Sequence, residues 1–298
     1  MALTGRQFPI QAGEHTATVV EVGGGLRVYD VAGEAVFRSF GEDVLPPKAA
    51  GISLVPWPNR IRDGRYSFDG AEYQLALTEP AQHNAIHGLG RFERWDAVEH
   101  EASRVTLALD IVPQTGWPFE VRAEVTYSLD AELGLTVELR AHNHGTTRVP
   151  FGAGSHPYLA TRGSALDDVT LTIPARTRLQ LDAAQIPVGS DSVAGTDVDF
   201  RTGKRLGGAR FDDAFADLDV VDGRGVAEVR VGEHGARLWF EDAFRYLQVF
   251  TVDSLVDGHA GIAIEPMTCP ADAFNSGDGL IVLEPDQSWS ARWGIQPF

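Results

Sequence analysis

The 298-residue chain has one cysteine, Cys269, and no apolar run of about 18 residues that would span a membrane. A single cysteine excludes an internal disulfide and fits a reducing compartment, so we expect a cytoplasmic protein. The N-terminal residues lack the apolar core of a signal peptide, in line with that expectation. No Cys/His zinc pattern is present, and we predict that the protein uses no metal or other cofactor.

Basic residues are also scarce. The chain has 25 Lys and Arg residues and 42 Asp and Glu residues, which gives a formal net charge of −17. Nucleic acids and anionic membranes require a basic surface, so neither is an expected partner. This charge favours an uncharged or cationic small ligand. The sequence also lacks a glycine-rich phosphate loop, a Gly-x-Ser-x-Gly motif and a His-Glu-x-x-His motif, which argues against nucleotide, serine-hydrolase and zinc-protease chemistry.

Helical periodicity is nearly absent, whereas period-two alternation of apolar and polar residues recurs throughout the chain. Two hairpins are predicted, one around the glycine triplet at 23–25 and one around Asp69-Gly70. No linker-like segment and no fixed repeat divides the sequence. We therefore predict an all-β protein, a large antiparallel β-sandwich, with residues 1–298 in a single domain. The main predicted strands cover residues 16–22, 26–31, 105–112, 120–129, 135–141, 169–173, 227–231, 237–240 and 246–252.

Asn59 and Arg60 follow two closely spaced prolines, in the segment Pro-Trp-Pro-Asn-Arg. Because proline fixes the backbone, Arg60 is expected to act as a preorganised donor to hydroxyls or carboxylates. A surface turn with a solvated arginine is the alternative interpretation.

Two histidines lie beside glycine or proline. His87 precedes a glycine, which allows close approach of the backbone to a cleft, although a structural or solvated histidine is the more common case. His156 precedes a proline, which favours extended backbone geometry and suits a side chain directed from a strand end into a pocket. A buried turn histidine is the alternative there. His83 and His100 lie in polar surroundings and are predicted to be on the surface.

Two carboxylates complete the candidate set. Asp212 lies among aromatic residues and is predicted to accept hydrogen bonds from ligand hydroxyls, with Phe215 packed beneath; an ordinary acidic loop is the alternative. Glu265 ends an apolar run before a proline, so Ile262 and Ile264 are expected on one strand face and Glu265 on the other. Partial desolvation at this strand end raises the pKa of a carboxyl, as a general base requires. An edge glutamate that points to water is the competing interpretation.

The ordered set resembles the aldose 1-epimerase (galactose mutarotase) family, from about Gly51 to the C-terminus. The resemblance implies a large antiparallel β-sandwich, often called a supersandwich, with the site in a cleft on one sheet. It also implies general-base and general-acid roles for Glu265 and His156. The residues that carry it, in chain order, are Asn59-Arg60, His87-Gly88, Ser155-His156-Pro157-Tyr158, Asp212 and Glu265.

By the same resemblance, Arg60, His87, Asp212 and Asn59 bind the sugar, and the activity is interconversion of the α and β anomers of a hexose. The expected partner is a monosaccharide, and the chain is expected to be a monomer or homodimer. The sequence has Leu89 where the family usually has a second glycine, and Asp213 where it tends to have histidine. The stretch after Glu265 resembles a bacterial subgroup that includes proteins proposed to be sulfoquinovose mutarotases. The identity of the sugar therefore stays open.

Three alternatives remain at this stage. A hexose-6-phosphate or sulfonated-sugar 1-epimerase needs several cations around its anionic group, and Arg60, Arg62, Arg91 and Arg94 are the candidates. A non-catalytic carbohydrate-binding protein of the same fold needs no acid–base pair. A glycoside hydrolase usually needs two carboxylates that flank the bond, and a histidine acid argues against it.

Overall fold

The computed structural model describes residues 2–256 and 258–298. Strands account for 54% of the residues and helices for 4%. The prediction of an all-β protein is therefore confirmed. Within the described residues, no helix has the length and hydropathy needed to cross a membrane.

The bounds of the elements follow. The strands are β1 (Gln7–Ala12), β2 (His15–Val20), β3 (Gly25–Val31), β4 (Glu34–Ala35), β5 (Ser53–Leu54), β6 (Arg60–Arg62), β7 (Arg65–Phe68), β8 (Ala71–Gln74), β9 (Asn84–Ile86), β10 (Asp96–His100), β11 (Arg104–Ile111), β12 (Val121–Asp130), β13 (Gly134–Asn143), β14 (Val149–Phe151), β15 (Gly154–Ser155), β16 (Tyr158–Ala160), β17 (Thr170–Thr172), β18 (Ala175–Leu181), β19 (Pro187–Ser192), β20 (Lys204–Arg205), β21 (Asp212–Leu218), β22 (Arg224–Val231), β23 (His234–Glu241), β24 (Tyr246–Val256), β25 (His259–Met267), β26 (Ile281–Leu283) and β27 (Ser288–Pro297). Short 3-10 turns cover Pro47–Ala49, Gly90–Phe92 and Leu166–Asp168, and one α-helical turn, α1, covers Ala273–Ser276.

Two large antiparallel sheets dominate the described part of the chain. The first has nine strands in the order β10-β11-β12-β13-β27-β23-β22-β17-β20. The second has eight strands, in the order β19-β18-β21-β24-β25-β15-β5, with β16 also paired to β25. A four-stranded sheet, β1-β2-β3-β4, and three two-stranded ribbons complete the architecture. The predicted hairpins appear as β2–β3 and β7–β8.

The hydrophobic core joins the inner faces of the two large sheets. On β12, Val121, Ala123 and Val125 are buried while Arg122 and Glu124 between them are half-buried, which is the alternation of a strand with one face on the core. One continuous cluster of buried residues runs from Phe8 through both sheets to Ile295. This continuity supports the proposal that the chain forms one domain.

A buried hydrogen bond connects the two large sheets beside His156. The indole Nε1 of Trp293, on β27, donates to the hydroxyl of Ser155, on β15, at 3.0 Å. Trp293 is thereby satisfied in the core, and it holds the residue immediately before His156. The nine-stranded sheet thus supports the chain segment that carries the histidine.

Gly51 fastens the same segment from the other side. Its N–H donates to the His156 carbonyl at 2.8 Å, and its carbonyl accepts the Leu26 N–H at 3.0 Å. The φ of Gly51 is +74°, and a Cβ at this position would lie 1.9 Å from the Leu26 carbonyl oxygen. Only glycine fits there, because both the left-handed backbone and the close approach exclude a side chain.

We predict that Gly51→Ala lowers the free energy of unfolding by at least about 2 kcal/mol more than Gly70→Ala does. Gly70 is the matched control: its φ is +80°, but no other described atom lies within 4 Å of its Cβ position. Both variants carry the left-handed penalty of about 1–2 kcal/mol, and only Gly51→Ala adds a backbone clash. Urea unfolding followed by tryptophan fluorescence measures the difference. Equal losses would show that the clash relaxes without cost.

Candidate active site

The register of three neighbouring strands places polar side chains on one face of the eight-stranded sheet. Gln248 of β24 pairs directly with Glu265 of β25 and with Ala214 of β21, two residues from Asp212. Because alternate residues of a strand share a face, Asp212, Gln248 and Glu265 point to the same side. They line a cleft of about 470 Å³. Ile262 and Ile264 lie in the hydrophobic core, which agrees with the prediction that they face away from Glu265.

Glu265 and His156 meet at the bottom of this cleft. The Glu265 side chain is 2% exposed and that of His156 is 6% exposed, and 3.2 Å separates Glu265 Oε1 from His156 Nε2. One detail of the sequence interpretation is wrong: Glu265 does not end its strand. β25 continues through Pro266 to Met267, which pairs with Gly154. Burial in the middle of the sheet, and not at a strand end, accounts for the desolvation of the carboxyl.

His156 lies between β15 and β16 and is held at its backbone and its ring. Its N–H donates to the Ile52 carbonyl at 3.2 Å, and its own carbonyl accepts from Gly51. The ring stacks on Tyr158, with 5.1 Å between centroids and 12° between planes. The imidazole is therefore fixed in orientation before any ligand binds, as proton transfer at a defined atom requires.

His87 stands edge-on to His156, with ring centroids 5.5 Å apart. Its φ is +63°, and its N–H donates to the carbonyl of Asn59, whose φ is +55°. Gly88 follows with φ +72°, and a Cβ there would lie 2.0 Å from the Val55 carbonyl oxygen. Two non-glycine residues in left-handed backbone, side by side in space, are a local strain of the kind that recurs at functional sites.

A chain of hydrogen bonds connects the remaining predicted residues along the cleft wall. The Asn59 amide donates to Gln248 at 3.2 Å, and the Gln248 amide donates to Asp212 at 2.7 Å. The Arg60 guanidinium lies 3.8 Å from Asp212 and forms two 2.9 Å hydrogen bonds to Glu79. This bidentate pair orients Arg60 and leaves part of its donor fork for the cleft.

Burial sets the protonation of the acid–base pair. Loss of hydration raises the pKa of Glu265 well above its ordinary value, with a further increase from Asp212 that Arg60 opposes. Burial lowers the pKa of His156 to about 3. The two groups therefore hold one proton between them, on the carboxyl. His156 is neutral in this arrangement, because the desolvation of its ring outweighs the effect of the neighbouring carboxyl on its pKa.

The pKa values of the other titratable groups in the cleft are shifted in different directions. Burial, and then the cations and histidine nearby, lowers the pKa of His87 well below its ordinary value, so this ring is neutral. Burial alone lowers the pKa of Arg60, but the hydrogen bonds that it donates to Glu79 and the field of Asp212 raise the pKa above its usual range. The pKa of Glu79 is lowered, since those hydrogen bonds outweigh burial of the carboxyl.

Several buried polar atoms of the site have no protein partner among the described residues: Glu265 Oε2, His156 Nδ1 and His87 Nδ1. Buried polar groups are nearly always hydrogen-bonded, so these atoms indicate a ligand or solvent rich in hydroxyls. No group of three or more His, Cys, Asp or Glu side chains in the described parts of the chain is arranged to hold a metal ion.

The structure brings all six predicted site residues to one cleft: Asn59, Arg60, His87, His156, Asp212 and Glu265. Phe215, expected beneath the ligand, packs instead against Phe211 in the core, because it lies on the opposite face of β21 from Asp212. His83 and His100 are exposed as predicted.

Sequence reasoning missed Lys48, Glu79 and Gln248, which also line the cleft. Gln248 had a usable signal, a lone amide in the middle of an apolar strand. Lys48 had one as well, since it is one of only two lysines and follows two prolines. Glu79 carried no signal, because nothing in the chain near it marks it as the partner of Arg60.

Two of the four arginines considered for an anionic group lie in the cleft, Arg60 and Arg91. Arg62 instead pairs with Asp182 at 2.6 Å, and Arg94 pairs with Glu21. Neither Arg62 nor Arg94 lines the cleft.

A β-sandwich whose cleft holds a fixed carboxyl–imidazole pair among hydroxyl-binding side chains has the parts of an acid–base enzyme for sugars. The comparisons with known proteins agree. The family model described as Aldose 1-epimerase matches residues 6–296, and the chain belongs to this family. The family comprises isomerases that act on carbohydrates.

Individual relatives differ in how much of the chain they match. The uncharacterized protein YihR of Escherichia coli K12 is 33% identical over 288 residues, which is 95% of this chain and 91% of that protein. Human galactose mutarotase is 34% identical over 156 residues, 50% of this chain and 44% of that protein. The solved structure of the GalM/aldose epimerase homologue from C. elegans has a TM-score of 0.84 at 19% identity, over 98% of each chain.

We predict that Glu265→Gln stabilises the fold at neutral pH. Above its ordinary pKa of 4.5 an unfolded glutamate releases its proton, whereas buried Glu265 retains it. Ionisation therefore favours the unfolded state as pH rises, and a neutral amide removes this effect. The free energy of unfolding should increase by at least about 1 kcal/mol at about pH 7 and converge with wild type below pH 4.5.

The exposed Glu284 supplies the control for urea unfolding at both pH values, with an expected change in Glu284→Gln within about 0.5 kcal/mol. A loss of stability in Glu265→Gln near neutral pH would contradict a protonated Glu265.

Proposed function

We propose that this protein is an aldose 1-epimerase that interconverts the α and β anomers of a hexose through Glu265 and His156. The observation that carries the proposal is their 3.2 Å contact at the bottom of a polar cleft. Mutarotation needs one group that removes the proton of the anomeric hydroxyl and one that protonates the ring oxygen. A single proton shared by two adjacent groups supplies both functions.

In the proposed mechanism the sugar enters between the two groups and replaces their mutual contact. As that contact opens, the proton passes across it from the Glu265 carboxyl to His156, which gives a carboxylate and an imidazolium. Glu265 takes the proton from the anomeric hydroxyl while His156 protonates the ring oxygen, and the C1–O5 bond breaks as the C1 carbonyl forms. Both groups are then neutral, as they were before the sugar entered. Rotation about C1–C2 exposes the other carbonyl face, and reversal of the proton transfers closes the ring.

The wall residues are assigned to binding. Arg60, held by Glu79, and Asp212, held by Gln248, offer a donor and an acceptor to sugar hydroxyls. Asn59 is placed beside them, and neutral His87 offers a ring nitrogen as donor or acceptor. These groups are fixed by protein contacts before binding, which limits the entropy lost when the sugar is oriented.

Two proton-transfer groups can account for a large rate acceleration without a cofactor. A positioned proton-transfer group typically contributes about 10²–10⁴ in rate. Two such groups give roughly 5–11 kcal/mol at about 1.4 kcal/mol per tenfold change.

The proposed location of the activity is the cytoplasm, because buried Cys269 is a free thiol that fits a reducing compartment. A free monosaccharide is the proposed partner, acted on by a monomer or homodimer.

We predict that Glu265→Gln and His156→Asn each lower kcat for anomer exchange by at least about 100-fold, because each removes one proton-transfer group. Polarimetry of freshly dissolved α-anomer, or exchange NMR at equilibrium, measures the rate for glucose and galactose. Glu284→Gln and His100→Asn make the same chemical changes at exposed positions outside the cleft and should keep the wild-type rate. Near wild-type exchange in either cleft variant would sink the assignment of roles.

We predict a pH profile without a histidine limb at its ordinary position. The pKa of His156 is lowered to about 3 and that of Glu265 is raised, so the pair keeps its one proton between these limits. The value of kcat/KM for a neutral hexose should stay flat upward from about pH 5 and fall only above the raised pKa of Glu265, where the pair loses its only proton. An acidic limb centred near pH 6.5 would show that a solvated imidazole controls the rate.

A further inference from the structure

The cleft above the acid–base pair contains more positive charge than its own carboxylates balance. Its lining includes three cations, Lys48, Arg60 and Arg91. Glu79 forms two hydrogen bonds with Arg60, and Asp212 lies 3.8 Å from the same guanidinium. Within the described residues, no carboxylate lies at ion-pair distance from Lys48 or Arg91. Both available carboxylates therefore lie closest to Arg60, and Glu79 reaches Arg91 only through its electrostatic field.

Glu265 does not correct the imbalance, because burial raises its pKa well above the ordinary value and so favours the protonated, neutral carboxyl. Three cations and two carboxylates leave the cleft with a formal charge of +1, in a chain whose net charge is −17. One of only two lysines in the sequence lies at this rim. A positively charged cleft in such an acidic protein favours an anionic ligand over a neutral one.

Arg91 is the cation of the cleft whose charge is least well compensated by the protein. Its Nε is buried and has no hydrogen-bond acceptor among the described residues. Its guanidinium lies 4.4 Å from the Phe92 ring centroid, and burial lowers its pKa. A half-buried guanidinium whose Nε is buried without an acceptor is unfavourable unless a ligand supplies one. A planar donor fork is suited to the paired oxygens of a phosphate, sulfonate or carboxylate.

We propose that Lys48 and Arg91 form an anion subsite, and that the substrate is a hexose that carries an oxyanion group. This inference rests on the proposed function for its chemistry, but the subsite itself is argued from charge and burial alone. Phosphate, sulfonate and carboxylate share the required chemistry. Arg60 serves the sugar hydroxyls, whereas Lys48 and Arg91 contact the anionic substituent.

Titration calorimetry at fixed ionic strength tests the subsite without relying on turnover. The probes are glucose, glucose 6-phosphate, glucose with a sulfonate at C6, and glucuronate. We expect at least one anionic sugar to bind about 10- to 100-fold more tightly than glucose, the range for hydrogen bonds to a charged partner. The tightest of the three identifies the anionic group. If glucose binds as tightly as every anionic sugar, the subsite is refuted.

Matched variants locate the effect. Lys48→Gln and Arg91→Gln should each remove most of the preference, so the ratio of anionic to neutral affinity falls about 10-fold or more. Lys204→Gln changes the only other lysine, and Arg245→Gln changes an exposed arginine; neither residue lines the cleft, and both variants should keep the wild-type ratio. An equal drop in the controls would mean that overall charge, and not this pair, attracts the anion.

Exchange NMR on the same sugars separates the two proposals. Selective binding of an anionic sugar without faster anomer exchange would overturn the proposed function and leave the subsite intact. Fast exchange of glucose with no preference for any anionic sugar would overturn the subsite and leave the function intact. Support for both requires that the anionic sugar has the higher kcat/KM and that the Arg91→Gln variant loses this advantage through KM.

Discussion

The contact between Glu265 and His156 is the interaction on which the rest of the site depends. Two ionisable groups lie 3.2 Å apart where water is excluded, so neither charge is favourable alone and the pair shares one proton. In the proposed mechanism, a carboxylate and an imidazolium form only when a ligand supplies polar contacts to both groups. The chemistry we propose therefore uses the same desolvation that makes the pair costly to bury.

The fold provides this geometry through strand register. Direct pairing of Gln248 with Glu265 and the two-residue offset to Asp212 bring polar groups together from distant parts of the sequence. Loops supply the remaining groups, held by glycines at 51 and 88 that pass close to neighbouring carbonyls. The strands fix the carboxyl at the bottom, and the strained loops bring the two histidines over it.

Much of this could be predicted from sequence, because period-two alternation reports directly on which face of a strand is buried. The strand at 120–129 is observed at Val121–Asp130, and the candidate residues do converge on one cleft. Protonation could not be predicted: a sequence shows that Glu265 and His156 exist, but not how completely both are removed from water. The pairing of Arg60 with Glu79 was equally hidden, since side-chain partners 19 positions apart leave no periodic trace.

The cations at the rim also act on the pair below them. The field of Arg91 contributes to the low pKa of both His87 and His156. In the proposed mechanism, an anionic group bound at Arg91 would offset that field and favour the imidazolium form of His156, the form assigned to protonation of the ring oxygen. The same group disfavours a second negative charge nearby, which raises the basicity of the Glu265 carboxylate once it forms. The two proposals are thus linked, because the field of the bound substituent would act on proton transfer at the anomeric centre.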